Sequence, residues 1–235
     1  MLSNLSSPAK ASFRRAGEYV HETQKITSKL FSSYVDEIKQ EDITAKPMQC
    51  GTVELIIGPM FAGKSTELLR RVRKAKHSGC QVAVVKSSMD TRYIQQHVTT
   101  HDGDHLPCIT SSTLLPLLDS HLKNVDIIAV DEAQFFPDLI EFVLEASESK
   151  KKSVIIAGLD GDFKRQRFGQ ILDIVPMADA VTKLSGKCHF CGGKSLFSLR
   201  VAADGRQALI GGLESYLPVC RNHYVDLSQT RGAPL

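Results

Sequence analysis

Tryptophan is absent from the 235 residues, and aromatic residues make up only 6% of them. No strong charge imbalance exists either: 29 Lys and Arg face 26 Asp and Glu, a formal net charge of +3, too small for charge alone to imply binding to nucleic acid or anionic lipid. Long apolar runs are missing. The longest, Val53–Ile57 and Ile127–Val130, fall far short of the roughly 20 residues of a membrane-spanning helix, so an integral helical membrane protein is not expected. Cysteine is sparse, at positions 50, 80, 108, 188, 191 and 220, and no N-terminal hydrophobic signal core precedes it. A reducing compartment without paired disulfides is the expectation. What is present, 42% hydrophobic and 23% charged residues, describes a globular chain with room for one ordinary domain and a small appended module.

Residues 1–50 are rich in Ser, Lys and Glu and lack a strong apolar period. They read as a mobile extension, with one weak amphipathic helix conceivable over Val20–Ile38. The first 17 residues carry Lys10, Arg14, Arg15, four Ser and no acid, which is also how an organelle transit peptide is composed. A cytoplasmic protein is expected, with a mitochondrion or plastid as the alternative. From Thr52 to about 184, short β-rich runs (Val53–Ile57, Val82–Val85, Val125–Val130, Val154–Ala157) alternate with helical stretches. The pattern predicts an α/β fold: a parallel sheet with flanking helices and a site in the loops at the strand ends. Residues 185–226 break into Cys, Gly and short strand-like pieces such as Leu196–Val201, with no further long helix expected. A module this small needs a metal or disulfide staple. Residues 227–235 read as a short tail.

Gly58-Pro59-Met60-Phe61-Ala62-Gly63-Lys64-Ser65 fits G-x-x-x-x-G-K-[ST], directly after an apolar run and before a helical stretch from Ser65 to about His77. A loop wrapped round a phosphate turns successive N–H groups inward, and glycine permits the dihedrals and close approach this needs. The helix N-terminus adds partial positive charge. Lys64 can reach the β- and γ-phosphates, and the Ser65 hydroxyl can ligate the Mg²⁺ that bridges them. In the following helix Leu68, Leu69, Val72 and Ala75 share one side, so Arg70, Arg71, Arg73, Lys74 and Lys76 read as a solvated face.

Ile127–Val130 ends in Asp131-Glu132, the usual partner of such a loop. If the extended geometry persists, the two side chains point to opposite sides. Asp131 is then assigned to the Mg²⁺ shell and Glu132 to the nucleophile as general base. These parts serve ATPases and kinases alike. An apolar, aromatic slot near Glu132 would favour a kinase, and its candidates are Met60, Phe61, Phe135, Phe136, Leu159, Phe163 and Phe168.

Cys188-x-x-Cys191 and, after 28 residues, Cys220-x-x-His223 form two knuckles whose three thiolates and one imidazole suit a closed, structural Zn²⁺ site. His189 is surplus to that set. Between the pairs, Leu209-Ile210-Gly211-Gly212 reads as a strand end entering a Gly-Gly turn, which is either a plain hairpin or a loop able to hydrogen-bond a planar base.

Together with Asp90-Thr91-Arg92-Tyr93, Thr100-His101-Asp102-Gly103, Asp131-Glu132-Ala133-Gln134-Phe135-Phe136, Leu159-Asp160-Gly161 and Phe168-Gly169, these motifs fall in one order over residues 51–226. In that order the chain resembles cytosolic-type (type II) thymidine kinases. The resemblance implies a P-loop NTPase-like sheet with a zinc-ribbon-like module carrying a lasso loop. It implies Mg²⁺-assisted transfer from ATP to the 5′-hydroxyl of thymidine for DNA precursor salvage, while acceptor breadth, such as deoxyuridine beside thymidine, stays open. Glu132 would be the base and Asp131 the Mg²⁺-side acid. Loop 58–65 and Asp90-Thr91-Arg92 would handle phosphates, with Gln134 close by. Met60, Leu159, Phe163 and Tyr216 would line the thymidine pocket, and the backbone of Leu209-Ile210-Gly211 would read the base. Cys188, Cys191, Cys220 and His223 would bind the zinc. A homotetramer inhibited by thymidine triphosphate is also implied. Ala62 stands where many members have Ser, Ala133 where Gly is frequent, His223 where a fourth Cys is common, and Ala208 where some place Glu. Two other classes stay open: a zinc-containing P-loop ATPase acting on nucleic acid, against which the weak net charge argues, and a nucleotide-binding regulator without turnover.

Overall fold

The computed structural model describes residues 25, 27–29, 32, 51–90, 97–99, 105–202 and 206–230. By its contacts the chain divides into two units, Met1–Met48 and Gln49–Leu235. In the first unit the described positions Lys25, Thr27–Lys29 and Ser32 are helical and exposed. The expected mobile extension, the transit segment and most of the helix conceived over residues 20–38 lie outside the described residues. All that follows concerns the second unit.

Its centre is a six-stranded, wholly parallel sheet. The strands are β1 (Val53–Gly58), β2 (Val82–Ser87), β5 (Ile109–Ser111), β6 (Ile127–Asp131), β7 (Ser153–Leu159) and β8 (Ala180–Lys183), in spatial order β5-β2-β6-β7-β1-β8. A separate antiparallel pair, β3 (His97–Thr99) with β4 (His105–Pro107), lies between β2 and β5 in the chain. Val, Ile and Leu suit these strands because branched side chains pack well on a pleated surface, and both faces of a parallel sheet are covered. Alternation sorts them. Leu55, Ile57, Ile128, Val130, Val154 and Ile156 pack with Leu114, Leu118, Leu139, Phe142, Val143 and Ile171 on one face. Ile56, Val84, Ala129, Ile155 and Ala157 pack with Leu68, Leu69 and Val72 on the other.

Those last three belong to helix α1 (Lys64–His77), which carries Glu67 in its first turn and Lys74, Lys76 and His77 in its last, both favourable to the helix dipole. It ends at Ser78-Gly79, where Gly79 takes a φ of 87° and donates its N–H to Lys76 O. Arg71 departs from the solvated face expected of it. Its guanidinium is largely buried and donates to Glu67, Glu54 and Thr182, tying α1 to β1 and the edge strand β8. Helix α2 (Leu139–Leu144) continues into a π-helical turn, Glu145–Ser149, over the opposite face.

Beyond Leu184 the chain forms two antiparallel ribbons, β9 (Gly186–Lys187) with β10 (Lys194–Ser195) and β11 (Phe197–Arg200) with β12 (Tyr216–Val219), and then helix α3 (Arg221–Thr230). Two sequence expectations fail here. A further helix does form, starting directly after Cys220, so Leu227–Thr230 are helical rather than tail; Tyr224 packs with Leu199 and Val219, which gives the segment the apolar partner its own sequence lacks. Leu209 and Ile210 form no strand: no neighbouring strand pairs with them, and Leu209 O accepts from the Tyr216 hydroxyl instead. Among the described residues no helix is long and apolar enough to cross a membrane.

Candidate active site

A cleft opens where β1, β6 and β7 end, at the carboxyl edge of the sheet. An open parallel sheet places its ligand sites there. Met60 to Thr66 line one side, Asp131, Glu132 and Gln134 the floor, Phe135, Leu159, Phe163 and Phe168 a third wall, and Gln207 to Gly211 with Tyr216 the rim.

Gly58 and Pro59 sit behind the cleft rather than on it. A Cβ on Gly58 would lie 2.6 Å from Leu184 O, so glycine here answers to packing against the strand's own neighbour. The loop then turns through two left-handed residues, Phe61 (φ 62°) and Gly63 (φ 79°), before α1 begins. Met60 N–H donates to Ser198 Oγ at 2.9 Å, and Lys64 Nζ to Pro59 O at 2.8 Å, so the ammonium lies across the loop it serves.

β6 delivers Asp131, 5% exposed, whose Oδ2 accepts from the Ser65 hydroxyl at 2.8 Å and Oδ1 from the Glu132 N–H at 3.0 Å. Burial pushes its carboxyl up to about 6; the Glu132 charge adds to the rise, while the Ser65 and backbone hydrogen bonds and Lys64 oppose it. The alternation expected of the acid pair stops here. Glu132 adopts a left-handed conformation (φ 51°, ψ 43°), so both carboxylates line one cleft. Gln134, 3% exposed, holds the second acid: its Nε2 donates to Glu132 Oε2 at 2.6 Å while its Oε1 accepts the Leu159 N–H at 3.0 Å. Of the paired phenylalanines only Phe135 reaches the cleft, meeting Phe168 edge-on at 5.4 Å between centroids. Phe136 turns into the core at 1% exposure, because the short 3-10 turn Ala133–Phe135 sends neighbouring residues to opposite sides. Gly169 explains its place beside Phe168: with φ 61°, its Cβ would sit 2.1 Å from Gln134 O.

Leu209, Ile210, Gly211 and Tyr216 all reach the rim as expected. The two glycines serve the loop's own turn. A Cβ on Gly211 would strike Ser215, and Gly212 N–H is held by the Glu214 carboxylate. The Glu214 carboxyl lies below the usual range, chiefly through that bond.

Cys188, Cys191, Cys220 and His223 place one donor atom each within 4.8 Å of one another, and His189 stays outside the group. Cys220 Sγ and Cys188 Sγ stand 3.1 and 3.5 Å from His223 Nδ1, and Cys191 Sγ 3.9 Å from Cys220 Sγ. A tetrahedral zinc bound at ordinary lengths needs donor separations of about 3.5–3.8 Å. The donor set therefore fits a metal. At Cys188, burial disfavours the thiolate, but the N–H groups of Cys191, Cys220 and Phe190 outweigh it and bring the thiol down to about 6.

Asp90 lines the cleft in a buried ion pair with Lys86, 3.2 Å apart, while Thr91 and Arg92 lie outside the described residues, as do the motif residues 100–103. Sequence reasoning passed over Lys86, Ser198, Arg200 and Gln207. Lys86 and Arg200 had a signal, a charged residue closing an apolar strand run. Ser198 and Gln207 had none, because each acts on a segment distant in the chain.

A family model described as thymidine kinase matches residues 51–224, most of the chain and every motif of the cleft. The chain belongs to the thymidine kinase family. It is 50% identical over 180 residues to "Thymidine kinase a" of Arabidopsis thaliana, covering 74% of this chain and 75% of that one. It is 40% identical over 174 residues to "Thymidine kinase, cytosolic" of Gallus gallus, covering 74% and 77%. The Variola virus "Thymidine kinase" is 40% identical over 179 residues, covering 76% and 99%. As a thymidine kinase family member it is a nucleoside kinase, and kinase chemistry implies ATP and Mg²⁺.

Gly158 gives a direct check on the floor of this kinase site. A Cβ there would fall 2.6 Å from Gln134 Oε1 and 2.5 Å from Ile171 Cδ1. Gly158→Ala is expected to displace the Gln134 amide from both its partners, costing ~1–3 kcal/mol in denaturant unfolding and lowering kcat at least tenfold in a steady-state assay.

Proposed function

We propose that the cleft transfers the γ-phosphoryl group of ATP to the 5′-hydroxyl of thymidine, giving thymidine monophosphate and ADP. The observation that carries this reading is the pair of acids on one floor beside an aromatic slot. Asp131 is joined to the phosphate-loop serine, and Glu132 is held by Gln134 next to Phe135, Leu159, Phe163 and Phe168. A water-activating ATPase has no use for an apolar slot beside its base, whereas an acceptor alcohol needs one that excludes water.

In this reading the N–H groups of Met60–Ser65 and the Lys64 ammonium cradle the triphosphate, backed by the N-terminus of α1. Asp90, paired with Lys86 on the cleft wall, belongs to the Asp90-Thr91-Arg92 motif to which phosphate handling is assigned. Ser65 and Asp131 would hold Mg²⁺, which supplies charge neutralisation across the β- and γ-phosphates. Glu132 accepts the proton of the 5′-hydroxyl as its oxygen bonds to the γ-phosphorus and the bond to the β–γ bridging oxygen breaks. Gln134 holds that carboxylate in place, acting on the reaction through Glu132. Met60, Leu159, Phe163 and Tyr216 enclose the nucleoside, and the Leu209–Gly211 backbone supplies the hydrogen-bond partners of the base. Tyr216 fixes that backbone by donating to Leu209 O at 2.9 Å. Cys188, Cys191, Cys220 and His223 would hold a structural zinc that ties the two ends of this lasso together. Functionally, residues 51–184 carry the donor and residues 185–226 close over the acceptor. Family membership supports a homotetramer and inhibition by thymidine triphosphate, and the name of the Gallus gallus relative supports a cytosolic location.

With Mg-ATP and thymidine, purified enzyme is expected to form thymidine monophosphate steadily, and Glu132→Gln to lower kcat by 10²–10⁴ with the nucleoside KM changed only a few-fold. ATP hydrolysis stimulated by polynucleotide, without nucleotide product, would replace this reading with the ATPase. The Asp131 carboxyl predicts the acid limb of the pH profile. Its proton is held up to about pH 6, above its usual range, and the metal-bound nucleotide needs the carboxylate. Hence kcat/KM for Mg-ATP rises with pH up to about 6, falling about tenfold per unit below it. The same sign makes the Asp131 charge a cost to the free fold that is absent well below its unfolded value near 3.8, grows between there and about 6, and is full above that. For the metal cluster, mass spectrometry is expected to find one zinc per chain, and chelation to lower the thermal midpoint and abolish thymidine binding.

A further inference from the structure

The acceptor slot has two walls that no strand of the central sheet supports: the ring of Phe163, in the loop after β7, and the lasso backbone opposite. One side chain touches both. Arg200 closes β11, is paired in register with Tyr216 of β12, and is only 7% exposed. Its guanidinium carbon lies 3.8 Å from the centroid of the Phe163 ring and 4.9 Å from that of Tyr216. The N–H groups of the same plane donate to Arg206 O, to Gln207 O at 3.0 Å and to the Tyr216 hydroxyl. Tyr216 passes the hold on to Leu209 O. Thus one planar cation faces an aromatic wall while its edge fixes lasso carbonyls at 206 and 207 directly and at 209 by relay. A lysine has the charge but neither the stacking plane nor the fork. Swinging the lasso away would strip a buried guanidinium of its acceptors, so the closed loop is favoured before any ligand arrives.

We infer that Arg200 is a positioning residue that fixes the separation of the Phe163 ring and the Leu209–Gly211 backbone, and so determines how tightly the acceptor nucleoside is held. It acts through those two walls. The inference rests on the proposed function, since it takes the slot to be the nucleoside's.

The test uses the full-length enzyme with the substitutions Arg200→Met and Arg200→Lys, reading KM for thymidine and for ATP separately, together with hydrogen exchange of the Arg206–Gly212 segment. For Arg200→Met the thymidine KM is expected to rise at least tenfold and the ATP KM to stay within twofold, with exchange in the segment accelerating and that in α1 unchanged. Arg200→Lys keeps the charge and serves if the Met variant does not fold; its thymidine KM is expected at least fivefold above wild type. A thymidine KM within twofold of wild type in either folded variant, or an ATP KM rising in parallel, overturns the inference. Failure of the underlying reading shows elsewhere: the wild-type enzyme would make no thymidine monophosphate, whereas the exchange comparison would still report whether Arg200 holds the loop.

Discussion

The left-handed turn at Glu132 is the constraint on which the site depends. A residue with a Cβ adopts that conformation at a cost of about 1–2 kcal/mol, so surrounding contacts must hold it there. Two do. The Glu132 N–H closes onto Asp131, and Gln134 reaches back from the following 3-10 turn to the Glu132 carboxylate while bonding the end of β7. Extended backbone would have sent the two carboxylates to opposite faces of the sheet. With the turn, the acid beside the phosphate-loop serine and the acid beside the aromatic slot share a single floor. The glycines at 158 and 169 belong to the same arrangement, since each leaves the space that Gln134 occupies.

The small C-terminal module does more than cap this floor. Its helix α3 donates the Tyr224 hydroxyl to Phe163 O at 2.7 Å, and its strand β11 supplies both Ser198, which accepts from Met60 in the phosphate loop, and Arg200, stacked on the Phe163 ring. Gly186 lies so close to the same loop that a Cβ would meet Phe61 O at 2.8 Å. Loop 58–65 and the Phe163 wall therefore share one mechanical support. A module with so small a core of its own, centred on Leu199, Val219 and Tyr224, has the cysteine and histidine donors to be fastened by a metal.

Local chemistry was legible in the sequence where it was written in adjacent residues. The apolar run 53–57 followed by glycines and Gly63-Lys64-Ser65 announced β1, the phosphate loop and α1, and the two Cys-x-x pairs announced a donor cluster. Illegible were the features decided by partners far along the chain. Nothing in Glu132 itself signals a positive φ, and periodicity cannot separate Phe135, on the cleft, from Phe136, in the core. Arg71 reads as one more surface cation until Glu54 and Thr182 are brought beside it. Helix α3 went unforeseen because its apolar contacts come from β11 and β12 rather than from a strong period of its own, and Leu209-Ile210 looked like a strand because apolar residues suited to strands say nothing about whether a neighbour exists to pair with.

The buried Asp131 side chain has an outcome beyond chemistry. A carboxylate held in the interior costs the fold free energy, and a cation bound beside it, as proposed for Mg²⁺, would offset that cost. Under the proposed function, a ligand that pairs with this carboxylate binds only the folded chain, so its binding and the stability of the fold would be linked by mass action.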